Sequence, residues 1–393
     1  MRDAHVIGAG LSGLASAWHL ADRGCAVTVF EAAAAPGGSI RTHHTPHGLV
    51  ETGANAFVRD DRVAAWFSRL GLVALSPRRD SRRRYIFRDG KPRRWPLTAV
   101  ESFGFGARLA QAAVARGFGA RGGETMAAWG SRVLGPRATE FLLEPAMQGI
   151  YAAPARELSA ATIFNGRRRG RRDLITPAEG MGAFATRLCE RLVDRGVRVV
   201  FDHAVDVVDA RVPTIIATDA STAARLLEPV APLVAHFASR IRVAPLVSIT
   251  AFFNPDSRDQ RGFGVLFPAS AGVSSLGVLF NADTFDHRSA LRSETWIVGD
   301  RGRGLASQDD AGLRNMVLAD RFVLCGRHQQ PLSVHISRWP RAIPVYDDAV
   351  AALQTGLADL PATVGLAGNY LGRIGVAALL EGAERAVARV CVE

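Results

Sequence analysis

Lysine is all but missing from this chain: Lys91 is the only one in 393 residues. The formal net charge of +11 is therefore carried almost wholly by arginine, which reads as compositional bias. No nucleic-acid fold motif accompanies the dense runs Arg78-Arg79, Arg82-Arg83-Arg84 and 167–172, so no nucleic-acid partner is expected. Anionic lipid headgroups or a multiply carboxylated substrate suit these arginines better. Cysteine is scarce too. Cys25, Cys189, Cys325 and Cys391 are scattered without a CxxC spacing, which excludes a zinc site or disulfide framework and fits reduced thiols in a cytoplasmic protein. Histidine crowds only at His43, His44 and His47; with no second ligand cluster these read as surface residues, and no metal is expected. No run approaches the ~18 uninterrupted apolar residues of a membrane span. The first strand begins within a few residues of Met1, leaving no room for a signal peptide. Internal repeats, low-complexity linkers and Ser/His/Asp or Cys/His nucleophile sets are absent, so no catalytic side chain is expected.

What is present is a folded-protein composition, 48% hydrophobic and 22% charged, in a chain long enough for two or three domains. Its organising stretch runs from His5 to Glu31. An apolar run meets Gly8-Ala9-Gly10-Leu11-Ser12-Gly13, and a helical pattern follows with Leu11, Leu14, Ala15 and Trp18 on one face. Gly24 stops it, and a second apolar run, 26–30, ends in Glu31. Gly8 permits the tight turn, Gly10 lets backbone approach a pyrophosphate, and Gly13 lets helix and strand pack closely. The helix N-terminus offers free N–H groups to that pyrophosphate. Glu31 can accept hydrogen bonds from a ribose diol, which favours an unphosphorylated adenosine ribose over NADP.

The rest of the chain alternates in kind. A helix is expected over 62–72. Residues 83–95 read as a hairpin turning at Asp89-Gly90, and 97–121 as a loosely helical apolar stretch. Helices are expected over 125–134 and 137–143, the second closed before Pro145. A helix from Gly180-Met181 ends at Gly196, strands follow at 197–201 and 214–217, and β-like runs at 246–253, 264–267 and 277–280 make an antiparallel middle section. A last strand, 363–367, meets the turn 368–375 and a helix with Val376, Leu379, Leu380 and Ala383 on one face. This second strand–glycine turn–helix is a second anion site. Two such units at opposite ends imply one discontinuous dinucleotide domain with the substrate domain inserted between them.

After Glu31 come Gly37-Gly38, Arg41-Thr42 and the strand end Gly53-Ala54-Asn55. A glycine pair followed by Arg-Thr resembles the FAD-binding sequence of the amine-oxidase-like flavoproteins. Within that group the chain resembles the oxygen-dependent protoporphyrinogen and coproporphyrinogen oxidases from end to end. The segments RRYIFRDGK (83–91), EPAMQGIYAAPARELS (144–159), GFGVLFPASAG (262–272), LGVLFNADTFDHRS (276–289), RWPRAIPVYD (338–347) and GNYLGRIGV (368–376) carry the likeness.

The resemblance implies an α/β protein with a discontinuous Rossmann-type FAD-binding domain (1–76, 174–222 and 353–393). An inserted antiparallel-sheet substrate domain (77–98 and 223–352) and a small helical subdomain with membrane contact (99–173) complete it. FAD would be held by Gly8, Gly10, Leu11, Ser12, Gly13, Glu31, Gly37, Gly38, Arg41, Gly53, Ala54, Asn55, Gly368, Asn369, Gly375 and Val376, with the Val205 backbone facing the adenine. By position, Arg84 matches the arginine that grips a propionate of a tetrapyrrole. Leu266 and Phe285 match residues packing on its rings, and Gly149 a glycine bordering the pocket. The implied reaction is oxygen-dependent dehydrogenation of a porphyrinogen in haem biosynthesis, with the chain cytoplasmic, peripheral on the inner face of the cell membrane, and a homodimer left open. An amine oxidase, an isoprenoid desaturase and a flavin-binding scaffold without turnover are the rival readings. The chain departs from the family pattern by shortened segments around 165–173 and 208–213. Ala153-Pro154 stands for the usual Gly-Asp, and Arg373 stands where glycine is frequent.

Overall fold

Two sheets divide the work of the chain. The computed structural model describes residues 2–165, 173–300 and 304–391; the arginine run 167–172, within one shortened segment, lies outside them. The first sheet has five strands in the order Arg198–Val200, Ala26–Phe30, Asp3–Ile7, Thr214–Ile216 and Val364–Leu366, every pairing parallel. Parallel strands bury both faces. On one face the helices Leu11–Asp22, Met181–Asp194 and Val376–Val390 pack through Leu14, Leu188, Leu380 and Val387. On the other, Ile7, Ile216 and Leu366 meet Ala223, Leu227 and Val234 from the helices Ala220–Leu227 and Pro232–Ser239. The carboxyl ends of these strands come from both ends of the sequence, so any crevice there is built from the whole chain.

The second sheet has seven strands: Ser333–Pro344, Val243–Phe253, Arg292–Gly299, Ser275–Phe280, Gly264–Leu266, Arg84–Arg88 and Lys91–Arg93. All neighbours are antiparallel except Gly264–Leu266 with Arg84–Arg88, which run parallel. Helix Asp310–Cys325 covers it through Leu313 and Val317, above Trp296 stacked on Phe267. Buried charge is compensated within this sheet. Glu294, fully buried, takes Arg292 at 2.8 Å and Arg321 at 3.0 Å.

The Asp89-Gly90 turn forms as expected, with φ of +52° and +72° at its two residues, the left-handed values a two-residue hairpin needs. The expected stop before Pro145 does not occur. A π-helical turn, Thr139–Leu143, runs straight into the helix Glu144–Tyr151. The wider turn shifts the hydrogen-bond register, so the N–H that proline lacks is not missed.

Candidate functional site

At Gly8 the chain leaves its first strand with φ of +102°, and its N–H donates to the Phe30 carbonyl at 2.7 Å. A Cβ on Gly13 would fall 1.8 Å from the Gly8 oxygen, whereas one on Gly10 would meet nothing within 4 Å. Gly13 is therefore glycine for packing and Gly10 for open approach. Glu31 closes the turn from the neighbouring strand. Its Oε2 accepts the Ala9 N–H at 2.6 Å and its Oε1 the Ala33 N–H at 2.9 Å. A carboxylate oxygen has two lone pairs, so Glu31 can fix the glycine loop and still accept a ligand hydroxyl.

These residues open onto a cavity of about 660 Å³, a size suited to a cofactor. Gly8, Gly10, Leu11, Ser12, Glu31, Gly37, Gly38, Val205, Gly368 and Asn369 all line it. The two glycine turns, more than 350 residues apart in sequence, thus face one space. The Gly37 N–H donates to the Ala9 carbonyl at 2.9 Å, which folds the double-glycine loop over the first turn. Gly13 lies beneath the wall. Arg41, Gly53, Ala54 and Asn55 stand beside it. The Arg41 carbonyl takes the Thr52 N–H at 3.0 Å, and a Cβ on Gly53 would fall 2.3 Å from the oxygen of Ser39, itself a lining residue. Ala54 packs on the core below, and the Asn55 carbonyl accepts from Arg288 at 3.4 Å. Gly375 and Val376 begin a helix that reaches the cavity through Leu379.

Sequence reasoning missed several wall residues. His203, Asp219, Arg225, Trp339 and Arg341 line the cavity. Trp339 and Arg341 lie in the RWPRAIP segment, but a long strand crossing from the other sheet brings them here. The indole N–H of Trp339 donates to the Thr52 carbonyl at 2.7 Å. Asp219 caps the helix Ala220–Leu227. Burial pushes its carboxyl up, but hydrogen bonds from Ser221 and Thr222 outweigh that and hold it below the usual carboxylate range. Arg341 pairs with it at 3.6 Å.

The substrate-side residues sit apart from this wall. Arg84 pairs in register with Gly264, two residues before Leu266 on the adjoining strand. Its guanidinium lies 4.6 Å over the Phe263 ring. A Cβ on Gly149 would come within 2.8 Å of Leu266 Cδ2, so glycine lets the helix Glu144–Tyr151 close on that leucine. Phe285 is 3% exposed, with Arg288 5.5 Å over its ring. Arg288 is buried and pairs with Glu51 and with the Thr176 hydroxyl. Glu51 also accepts the Met181 N–H at 2.9 Å and the Thr42 hydroxyl at 2.6 Å. This network ties the Phe285 segment to the hairpin that precedes Gly53. None of Arg84, Gly149, Leu266 and Phe285 lines the cofactor cavity; Gly149 and Leu266 touch, with Arg84 on the next strand.

The family model for flavin containing amine oxidoreductases matches residues 11–390. The chain belongs to this family. It is an FAD-dependent oxidoreductase, and the open face at Gly10 with the two converging glycine turns fits that dinucleotide. Protoporphyrinogen oxidase 2 of Arabidopsis thaliana is 24% identical over 94% of this chain and 90% of its own length. Coproporphyrinogen III oxidase of Mycobacterium tuberculosis is 28% identical over 98% and 96%. Among solved structures, an Exiguobacterium protein assigned as a protoporphyrinogen oxidase superposes with a TM-score of 0.81 at 19% identity, covering 98% of both chains. Putrescine oxidase bound to putrescine gives 0.77 at 16%, again covering 98% of each. The two share the fold with this flavoenzyme.

Proposed function

We propose that this chain is an oxidase that dehydrogenates a porphyrinogen, coproporphyrinogen III or protoporphyrinogen IX, to the porphyrin with O2 as acceptor, in haem formation. The observation that carries this reading is the edge formed by Arg84, Phe263 and Leu266. Arg84 and Arg82 have no acidic partner among the described residues, whereas Arg83 is held by Asp80 at 2.9 Å. A cationic edge beside an apolar residue suits a flat, carboxylated macrocycle and repels a protonated amine. The curated relatives named for porphyrinogen oxidation agree with it.

Bound FAD supplies hydride acceptance from a meso carbon of the substrate. Everything else falls to the chain. The turns at Gly8–Gly13 and Gly368–Gly375 present backbone to the dinucleotide, and Glu31 and the Val205 backbone hold its adenosine end. Arg84 grips a carboxylate through two parallel hydrogen bonds. Leu266 and Phe285 give apolar contact and keep water out. Two arginines free for carboxylates favour coproporphyrinogen, which has four, over protoporphyrinogen, which has two. The deciding experiment is oxygen-dependent porphyrin fluorescence with both porphyrinogens on the purified yellow protein. Turnover of either, with coproporphyrinogen preferred, is expected. Bound FAD without turnover of either would favour a scaffold.

A peripheral membrane contact is part of the proposal. Helix Ala99–Val114 has no buried residue, and Val100, Phe103 and Val114 are each more than four-fifths exposed. Arg108 lies within it, and Arg93, Arg94, Arg116 and Arg121 flank it in sequence. No helix among the described residues is long and apolar enough to cross a membrane.

A further inference from the structure

Behind the turn 368–372 lies a second cavity, of about 400 Å³. Only Gly368 borders both it and the cofactor cavity. The helix Val376–Val390 forms one wall, and Leu357, Leu360, Leu366 and Leu371 make an apolar floor. Arg373, Arg385 and Arg389 stand around it.

Among the described residues the charges there do not balance. Arg373 and Arg385 share the carboxylate of Glu381, at 3.0 and 3.2 Å, while Arg62 is divided between Glu381 at 3.5 Å and Glu384 at 3.2 Å. Arg389 donates only to carbonyls, those of Leu360 at 2.6 Å and Val364 at 3.3 Å. Among the described residues no carboxylate pairs with it. A leucine-floored space under surplus positive charge asks for a ligand with an apolar body and an anionic head.

Gly382 points the same way. It lies in the middle of the helix, where glycine costs stability relative to alanine. A Cβ there would meet nothing within 4 Å, so no neighbouring backbone explains the glycine. It lines the cavity, one turn from Ala378 and one from Ala386, which line it too. The helix keeps the space clear.

We propose that this cavity binds a small amphipathic carboxylic acid, its chain on the leucine floor and its carboxylate held by Arg385 and Arg373. The site is separate from the flavin's substrate edge and stands whichever substrate the flavin takes. The test uses the full-length, FAD-loaded protein and octanoate, followed by calorimetry and saturation-transfer NMR, with octanol and acetate as controls. Saturable one-to-one binding is expected, about tenfold tighter for octanoate than for either control. Gly382→Phe, whose Cβ meets nothing within 4 Å, projects its ring into the cavity and should abolish binding, with flavin content unchanged. Arg385→Gln, at an exposed position outside the core, should weaken it about fivefold or more. Absence of saturable binding overturns the proposal, as does octanol binding as tightly as octanoate. Octanoate binding undiminished in either variant would place it elsewhere and also overturns it.

Discussion

At the scale of single residues, two glycines of one motif do different jobs, and substitution separates them. Gly10 faces the cavity with nothing near its absent Cβ, whereas Gly13 touches the Gly8 carbonyl. Gly10→Val should purify colourless and melt with the flavin-free wild-type protein, because its side chain occupies the dinucleotide's path without straining the fold. Gly13→Val must push the helix off the strand, and overpacking of that kind costs about 1–3 kcal/mol. Its melting temperature should fall along with its flavin content. Equal melting temperatures for the two variants would refute the division of labour. Arg84 carries the substrate proposal. Arg84→Ala should raise KM for coproporphyrinogen by an amount worth roughly 1.5–3 kcal/mol, that of a charged hydrogen bond, with flavin content unchanged. Arg84→Lys should recover part of it, since a point charge cannot reproduce the guanidinium fork. Wild-type turnover of both porphyrinogens by Arg84→Ala would make Arg84 a surface residue and remove the basis for the proposed edge.

At the scale of elements, the helix Ala99–Val114 has an unusual attachment, because it buries none of its own residues. Half-buried Phe105 packs on Leu97, Ala138 and Phe141, and the rest of the attachment is polar. Glu101 closes a capping box with Thr98 and takes Arg88 at 2.6 and 3.0 Å. Arg88 in turn lies 3.9 Å over Phe141. The hydrogen bond from Arg88 is the main reason that the Glu101 carboxyl is pulled down to about 2. A carboxyl titrating lower folded than unfolded stabilises fully above its unfolded pKa of about 4.3, and this contribution is lost as pH falls through about 2. Near-UV circular dichroism should therefore show a loss of tertiary signal between pH about 4 and about 2. Glu101→Gln should lower the melting temperature at neutral pH and flatten that acid limb. An acid limb identical in the two proteins would mean that other carboxyls govern it.

The same scale shows what the sequence could and could not reveal. The glycine turn, its helix and the strand ending in Glu31 were legible because each obeys local rules of spacing and backbone freedom. The Asp89-Gly90 hairpin was legible for the same reason. The helices Ala220–Leu227, Asp310–Cys325 and Asp348–Gly356 and the strands Arg292–Gly299 and Ser333–Pro344 went unassigned. In Arg292–Gly299 the buried charges Arg292 and Glu294 are compensated by Asp283, nine residues back on the preceding helical turn, and by Arg321 on a later helix, so the polar pattern hides a buried strand. Likewise Asp219 and Trp339 reach the cofactor cavity through tertiary placement, which no local motif records.

At the scale of the whole molecule, the exposed faces of helix Ala99–Val114 need an explanation that the folded core does not provide. Val100 is 82% and Phe103 81% exposed, and large apolar side chains left outside a fold mark a surface that something else covers. The arginines around them favour an anionic bilayer over a purely apolar partner, at roughly 1 kcal/mol per arginine near such a surface. That attraction fades within roughly 8–10 Å at 0.1–0.15 M salt. The protein should float with phosphatidylglycerol vesicles at low salt, stay behind with phosphatidylcholine vesicles, and be released from the former at high salt. A Phe103→Ser, Val100→Ser double variant should reduce flotation while keeping its flavin and porphyrinogen turnover in detergent-free buffer. Should the wild type instead ignore both vesicle types and sediment as a dimer that the double variant splits, a second copy of the chain covers this face and the membrane contact falls.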